Sequence, residues 1–333
     1  MRDPTPSGSG PQPQPRRRAS GSGRLVAVTA GALLVCSELA GCAGGTPAPS
    51  RGVGSTPATP ATRPVTTSAA SAPTDPVTVF EMADPVVRYQ EYVAGQLALL
   101  VRQTRTLADD TAAGDDAAAE RDWLTAHLTY HRLGAAYGAF GDLGKAVDGL
   151  ARGLPRGTAD PGFTGFHQVE YLLWRGGGAR AAAPAAARLA RDVVTLQARA
   201  GQLDIPANTF STRAHEILEN TLEFTLTGAD DYGSGSGAAT AAADLDGTRT
   251  VVGLLRPLLE RRSPRLPARI DADLSAVQGA LAAATAGGAT GSGTGTPIAR
   301  LPLAQRQRLD AAVGRALETL SVVPGLLAVQ DED

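Results

Sequence analysis

Cysteine is almost absent from this sequence of 333 residues, and both cysteines, Cys36 and Cys42, lie close to the N-terminus. The rest of the chain therefore has no disulfide framework, no thiolate zinc or iron–sulfur site and no thiol nucleophile. A metal bound there would have histidine, carboxylate or other oxygen ligands.

Aromatic residues are also few, at 4%, and the 31 basic side chains nearly balance the 33 acidic ones. This balance lacks the basic excess that is typical of nucleic-acid-binding proteins, so we expect no nucleic-acid partner. The sequence has no Gly-x-Ser-x-Gly elbow, P-loop, dinucleotide fingerprint or His-Glu-x-x-His motif. No motif therefore indicates an esterase, a kinase or an oxidoreductase.

Residues 1–41 have the pattern of a bacterial lipoprotein signal peptide. Arginines precede the apolar run Leu25–Val35, which at 11 residues is too short to span a membrane stably. The sequence Leu39-Ala40-Gly41-Cys42 follows, and small residues before a cysteine resemble a lipobox. We expect cleavage before Cys42 and lipidation of its thiol, which would anchor the protein to the outer face of the cell membrane. An ordinary secretory signal is the alternative.

Two further regions follow the predicted cleavage site. Residues 43–75 are almost wholly Gly, Pro, Ala, Ser and Thr, so 42–75 is predicted to be the lipidated cysteine with a disordered linker. Residues 76–333 show widespread helical periodicity and no sustained strand alternation, which predicts an all-α domain of up-and-down helical bundles. The predicted helices are 85–108, 115–139, 143–150, 162–174, 182–201, 209–227, 239–261, 266–285 and 302–321, with loops at 232–237 and 287–297.

Four histidines could carry chemistry. His167 and Glu170 are spaced i, i+3, which places an imidazole and a carboxylate on one helix face within reach of one ion. His127 and His131 are spaced i, i+4, which also suits a shared metal. On spacing alone, ordinary explanations are favoured: a helix-surface pair for His167 and Glu170, and two partly buried histidines for His127 and His131. Helix caps or solvated faces can explain the remaining candidates, which are His215, Glu216, Glu219, Glu223, Asp142, Asp148, Asp244 and Asp246.

The segment from Asp160 to Trp174 carries a more specific pattern. It contains Gly165-Phe166-His167-Gln168-Val169-Glu170, which resembles the Gly-x-His-x-x-Glu signature of imelysin-like proteins. The branch that it resembles is the EfeO/EfeM type, the extracytoplasmic component of an iron-uptake system. The similarity covers about residues 85–322. Other matching stretches, in order, are Phe140–Leu143, Val147-Asp148, Ala214–Gly228, Asp244–Thr248 and Leu255–Leu259.

The resemblance implies an all-α fold of two packed bundles that binds Fe²⁺ or Fe³⁺, with zinc or copper as other ions. It implies a membrane-anchored protein that delivers iron to a permease, with a haem peroxidase as a further partner. It also implies a stand-alone domain, because 43–75 is too short for a cupredoxin-like domain. The implied metal ligands are His167 and Glu170 at the centre, Asp142 and Asp148 as helpers, and Glu216 and Asp246 as weaker candidates.

The chain departs from the family pattern on the second helix. His131, Gly134 and Gly138 stand where glutamates are usual, and Gly144 stands where an aspartate is common. One hypothesis is that His131 replaces a missing carboxylate and shifts the preference towards zinc or copper. An unchanged metal preference in a His131→Ala variant would contradict it.

The departures leave two alternatives to an iron-binding protein. One is a cell-envelope scaffold that kept the fold and lost the metal. The other is a metallopeptidase, because imelysin-like proteins have been classed as peptidases. A catalytic zinc needs about three protein ligands, an open position and a general base, and no complete motif of this kind is present. We therefore expect a protein that is not an enzyme.

Overall fold

The computed structural model describes residues 76–285 and 296–329. The predicted signal peptide 1–41, Cys42 and the linker 42–75 lie outside the described residues, as does most of the predicted loop 287–297. Within the described ranges the chain forms helices without strands, apart from one isolated bridge between Val77 and Val329. No helix in this part of the chain is both long and apolar enough to cross a membrane.

The α-helices are listed in chain order as follows. They are α1 (Val79–Ala113), α2 (Asp116–His131), α3 (Tyr137–Asp148), α4 (Phe166–Arg175), α5 (Ala179–Ala198), α6 (Ala207–Phe210), α7 (Arg213–Asn220), α8 (Gly237–Arg262), α9 (Leu266–Thr285), α10 (Leu303–Leu320) and α11 (Val323–Leu326).

The helices pack as two bundles around one continuous apolar core. In the first bundle, α1 packs on α2 and α5, and α4 packs on the same two helices. In the second, α8 packs on α7 and α9, and α10 also contacts α7 and α9. Helix α8 joins the bundles because it also contacts α1 and α2. The structure confirms the predicted all-α fold of two packed helical bundles.

Helix α1 begins six residues before the predicted start at residue 85. Its N-terminus is a capping box, in which the Glu81 amide donates to Thr78 Oγ1 at 3.2 Å and the Thr78 amide donates to Glu81 Oε2 at 3.0 Å. These bonds satisfy two amides that otherwise lack helical partners. The predicted helix 85–108 covered most of the buried face of α1 but not this capped first turn.

The predicted helix 115–139 is divided in the structure, because α2 ends at His131. A short 3₁₀ turn at Gly134–Ala136 follows, and α3 begins at Tyr137, before the predicted start at residue 143. Gly134 sits tightly against α7, since a Cβ atom there would lie 3.0 Å from Ile217. The break redirects the chain so that Asp148, at the end of α3, returns to the α2 histidines.

The predicted helix 209–227 is also interrupted. Helices α6 and α7 are followed by a π-helical turn at Thr221–Thr225, a local form that is frequent at functional sites. The Thr221 hydroxyl lies 2.9 Å from Asp244 Oδ2, and the Thr225 hydroxyl donates to Asp230 Oδ2 at 2.7 Å. The π-turn therefore holds two carboxylates beside the first bundle.

Candidate metal centre

Three histidines and one aspartate meet where α2, α3 and α4 come together. Nε2 of His127 lies 3.0 Å from Nε2 of His131 and 3.8 Å from Oδ1 of Asp148. Nε2 of His167 lies 3.5 Å from the same Asp148 oxygen. One ligand atom each from His127, His131 and Asp148 all lie within 4.8 Å of one another. The structure thus brings together side chains from three consecutive helices.

His127 is held by the aromatic core. Its ring stacks on the indole of Trp123, with 4.5 Å between the ring centroids and 21° between the planes. The Trp123 indole N–H donates to the Phe166 carbonyl oxygen at 2.9 Å, which links α2 to the first residue of α4. Burial, followed by the neighbouring His131 and His167 charges, lowers the pKa of His127 well below its usual value. His127 is therefore neutral at neutral pH.

His131 is oriented by a carboxylate from the second bundle. Its Nδ1 lies 2.8 Å from Asp244 Oδ1, while the other oxygen of Asp244 faces the Thr221 hydroxyl. Burial favours the neutral imidazole, but the charge and hydrogen bond of Asp244 outweigh burial and raise the pKa of His131 to about 9. In the ion-free protein His131 is thus a cation paired with Asp244.

Glu170 is enclosed by the predicted loop 232–237. Oε1 of Glu170 accepts hydrogen bonds from the Tyr232 amide at 3.0 Å, the Ser234 amide at 3.0 Å and the Ser234 hydroxyl at 2.6 Å. Its Oε2 lies 3.3 Å from Nδ1 of His167. Burial raises the pKa of Glu170, against the opposing effect of these partners.

His167 faces two carboxylates, one through each ring nitrogen. Burial disfavours its charged form, but the charge of Asp148 and the bond to Glu170 outweigh burial and raise the pKa of His167. Burial likewise raises the pKa of Asp148, although the neighbouring His167 and His131 charges oppose it. The cluster is therefore a buried set of imidazoles and carboxylates in direct contact with one another.

A pocket of about 200 Å³ lies against the cluster. The pocket provides room for a small ion beside donors that are otherwise enclosed by helices. Imidazole and carboxylate donors without thiolates suit iron, zinc and copper. The polar residues that line the pocket include His131, Tyr137, Asp148, His167, Asp230 and Asp244.

The structure places the other predicted ligands apart from the cluster. The Asp142 side chain is 98% exposed and pairs with Lys145 at 3.2 Å. Glu216 pairs with Arg213, and Asp246 lies 3.3 Å from the Arg132 guanidinium. These three carboxylates face cations on the surface, so the structure does not bring them to the histidines.

Two residues of the cluster region escaped the predicted ligand set. His127 had a local signal, the i, i+4 spacing to His131, which places both on one face of α2. Asp244 had no such signal, because its contact with His131 spans 113 positions. The packing of α8 on α2, which the sequence did not specify, makes this contact.

Residues 85–323 match the family model Peptidase_M75, described as Imelysin. The chain belongs to the imelysin family. It is similar to the iron uptake system component EfeO of Yersinia pseudotuberculosis serotype I (strain IP32953), with 31% identity over 192 residues, covering 58% of this chain and 51% of that protein. It is 28% identical over 195 residues to EfeO of Escherichia coli (strain K12), covering 59% and 52%.

This imelysin-family chain spans about half the length of the curated relatives it matches. The matches confirm the predicted resemblance to imelysin-like proteins of the EfeO type. Gly165, His167 and Glu170 lie inside the matched region, as do His127, His131 and Asp148.

Proposed function

We propose that this protein is an extracytoplasmic iron-binding component of an iron-uptake system. The observation that carries the proposal is the buried cluster of His127, His131, His167 and Asp148 beside a pocket. The similarity to proteins named as iron uptake components supports iron as the cargo. In this role the protein captures the ion and passes it to a membrane permease, with a haem peroxidase as a further partner.

The outer carboxylates of the cluster favour binding over peptide hydrolysis. A zinc peptidase needs a carboxylate or another base placed to activate water. Both oxygens of Glu170 and both oxygens of Asp244 face hydrogen-bond partners in the protein. These carboxylates therefore orient histidines, as a metal carrier requires. They are not free to activate water, as the general base of a peptidase must be.

Iron titration tests the proposal. The purified protein is expected to bind about one iron ion per chain in a saturable manner. A His167→Ala/Glu170→Ala variant is expected to bind at least 100-fold more weakly, because loss of an orienting partner alone typically costs about 10–100-fold in metal affinity. His215→Ala is the matched control, since His215 lies on α7 beside Glu219. Absence of iron binding by the unmodified protein would instead favour the scaffold alternative.

The proposed attachment through Cys42 would hold this carrier next to its membrane partner. If 42–75 is the disordered linker that its composition predicts, about 34 residues would have an end-to-end distance of roughly 30 Å and would keep the domain close to a membrane partner. A Cys42→Ala variant is expected to move from the membrane fraction to the soluble extracytoplasmic fraction. Membrane association that survives this substitution would contradict the proposed lipid anchor.

A further inference from the structure

We propose that the first turns of α1 and the corner between α8 and α9 form one surface that docks on an anionic phospholipid membrane. This docking surface consists of the exposed apolar residues Val79, Phe80 and Val87 and the basic segment 261–269. It shares no residue with the candidate metal centre. The proposed tether through Cys42 would limit only the distance of the domain from the membrane, whereas this surface would fix its orientation.

The apolar part of the docking surface lies on α1. Phe80 is 82% exposed, the largest exposed fraction among the large apolar residues of the described chain, and Val87 is 50% exposed. The two residues are about two turns apart on one face of the helix. Asp84, between them, forms an ion pair with Arg88 at 3.0 Å, so this face carries no unbalanced charge. Isolated exposed apolar residues are ordinary, but an apolar stripe beside positive charge is typical of a face that enters a membrane interface.

The basic part is the corner where α8 ends and α9 begins. The segment 261–269 contains four arginines and no acidic residue. Arg261, Arg265 and Arg269 are exposed. Arg261 pairs with Glu81, whereas Arg265 and Arg269 form no ion pair within the described part of the chain. These two arginines therefore keep their charge available to a partner.

The position of these two arginines is unfavourable for α9 itself. Arg265 directly precedes the helix, and Arg269 lies in its first turn. The N-terminus of a helix carries a partial positive charge, so acidic side chains stabilise it and basic side chains do not. Stability of the fold therefore does not account for Arg265 and Arg269. An anionic membrane opposite the corner does account for them, because phospholipid headgroups attract clustered arginines.

An ion pair places the two parts of the docking surface side by side. Nη2 of Arg261 donates to Oε1 of Glu81 at 2.8 Å, which joins the last turn of α8 to the first turn of α1. Glu81 directly follows Phe80, so the exposed phenylalanine lies within one residue of this contact. The surface thus combines an aromatic side chain with positive charge, the combination that partitions into the headgroup region of a bilayer.

The path of the chain favours a membrane as the partner. The described fold starts at residue 76, three residues before the docking surface. The proposed linker 42–75 would therefore enter the domain at the end that carries Phe80, and this end would lie nearest to a lipid attached at Cys42. Tethering raises the effective concentration of the docking surface at the membrane, so even weak contacts would orient the domain.

Hydrogen–deuterium exchange of the full chain on vesicles tests the docking surface. Each arginine near an anionic surface contributes roughly fivefold to membrane partitioning. Exchange in 79–87 and 261–269 is therefore expected to be at least about tenfold slower on vesicles of equal parts phosphatidylglycerol and phosphatidylcholine than on phosphatidylcholine alone. High salt is expected to remove this difference, because salt screens charges at an exposed surface.

Two variants test the apolar and the basic part separately. Phe80→Ser is expected to remove most of the protection, because burial of a phenylalanine side chain contributes about tenfold or more to partitioning. Arg265→Gln/Arg269→Gln is expected to bring exchange to within about twofold of the rate on phosphatidylcholine. All three side chains are exposed, so both variants are expected to fold as the unmodified protein does.

Leu303→Ser and Arg102→Gln/Arg105→Gln are the matched controls. Leu303 is 61% exposed and begins α10, which is not part of the docking surface. Arg102 and Arg105 are exposed and lie at least roughly 33 Å from Phe80 along α1. Both controls are expected to leave the protection unchanged. Equal exchange on the two kinds of vesicle, or equal loss of protection in the controls, would overturn the proposal.

The number of protein molecules per vesicle separates a membrane from a second copy of this chain as the partner. Protection that rises with protein density on both kinds of vesicle would overturn membrane docking and assign the surface to self-association. Iron titration of the same variants keeps this inference distinct from the proposed function. Because the docking surface and the metal centre share no residue, Phe80→Ser is expected to bind iron as the unmodified protein does.

Discussion

Replacing Gly165 with alanine is expected to abolish ion binding and to destabilise the fold by about 3 kcal/mol or more. Gly165 precedes α4 with φ +81° and ψ −156°, a conformation that is essentially restricted to glycine. A Cβ atom there would lie 2.1 Å from the carbonyl oxygen of Val147, the residue before Asp148. Relief of this clash must separate the segment that carries His167 from the one that carries Asp148.

Urea unfolding and Zn²⁺ titration measure the two effects of Gly165→Ala. The control is Gly279→Ala, because Gly279 lies on the exposed face of α9 and a Cβ atom there meets nothing within 4 Å. Alanine is expected to stabilise that helix by about 0.5–1 kcal/mol. A Gly165→Ala protein with unchanged stability and affinity would show that the close approach to Val147 does not hold the site together.

Ion binding is expected to weaken about 100-fold between pH 8 and pH 6. Asp244 raises the pKa of His131 to about 9 despite burial, so an incoming ion must displace a proton from His131 throughout this range. Displacement of one proton changes the apparent affinity about tenfold per pH unit. Zn²⁺ calorimetry in buffers of different ionisation enthalpy would measure both the affinity and the released proton.

Asp244→Asn is the matched variant for this pH dependence. The amide oxygen can still accept from His131 Nδ1, but the charge that raises the pKa of His131 is gone. The affinity is therefore expected to change less between pH 7 and pH 8 than in the unmodified protein. An equally steep dependence in the variant would assign the displaced proton to another group.

The raised pKa of His131 also makes the stability of the ion-free protein depend on pH. This dependence runs opposite to that of ion binding. A histidine whose pKa is raised on folding stabilises the fold fully below its unfolded value of 6.5. This contribution is lost as the pH rises through about 9. Rising pH thus removes the stabilising charge pair with Asp244 and at the same time makes His131 available to an ion.

Helical periodicity was sufficient to predict most of the fold. The predicted helix 266–285 has the same bounds as α9, because regular apolar spacing and prolines at its start marked both the face and the boundary. The prediction of one helix over 115–139 is wrong beyond His131. The helix ends there, and the tight tertiary contact of Gly134 in the following turn is not visible in any local pattern. Periodicity reports which face is buried, but it does not report where a neighbouring helix forces a turn.

The candidate site was only partly predictable. His127, His131 and His167 stood out because histidine is rare in this chain and two of them share a helix face. The orienting role of Asp244 depends on the packing of α8 against α2, and the donors to Glu170 come from a loop 62 and 64 positions away. Long-range packing of this kind cannot be detected from the spacing of residues in the sequence.

The four candidate donors, His127, His131, His167 and Asp148, lie on α2, α3 and α4. A bound ion would therefore change the stability of the whole fold. An ion held by three helices is a cross-link that the unfolded chain cannot form. At an ion concentration 100-fold above Kd, such a ligand stabilises the native state by about 2.7 kcal/mol. The filled form would then resist heat and proteases better than the empty form, so the lifetime of each molecule would follow the supply of the ion.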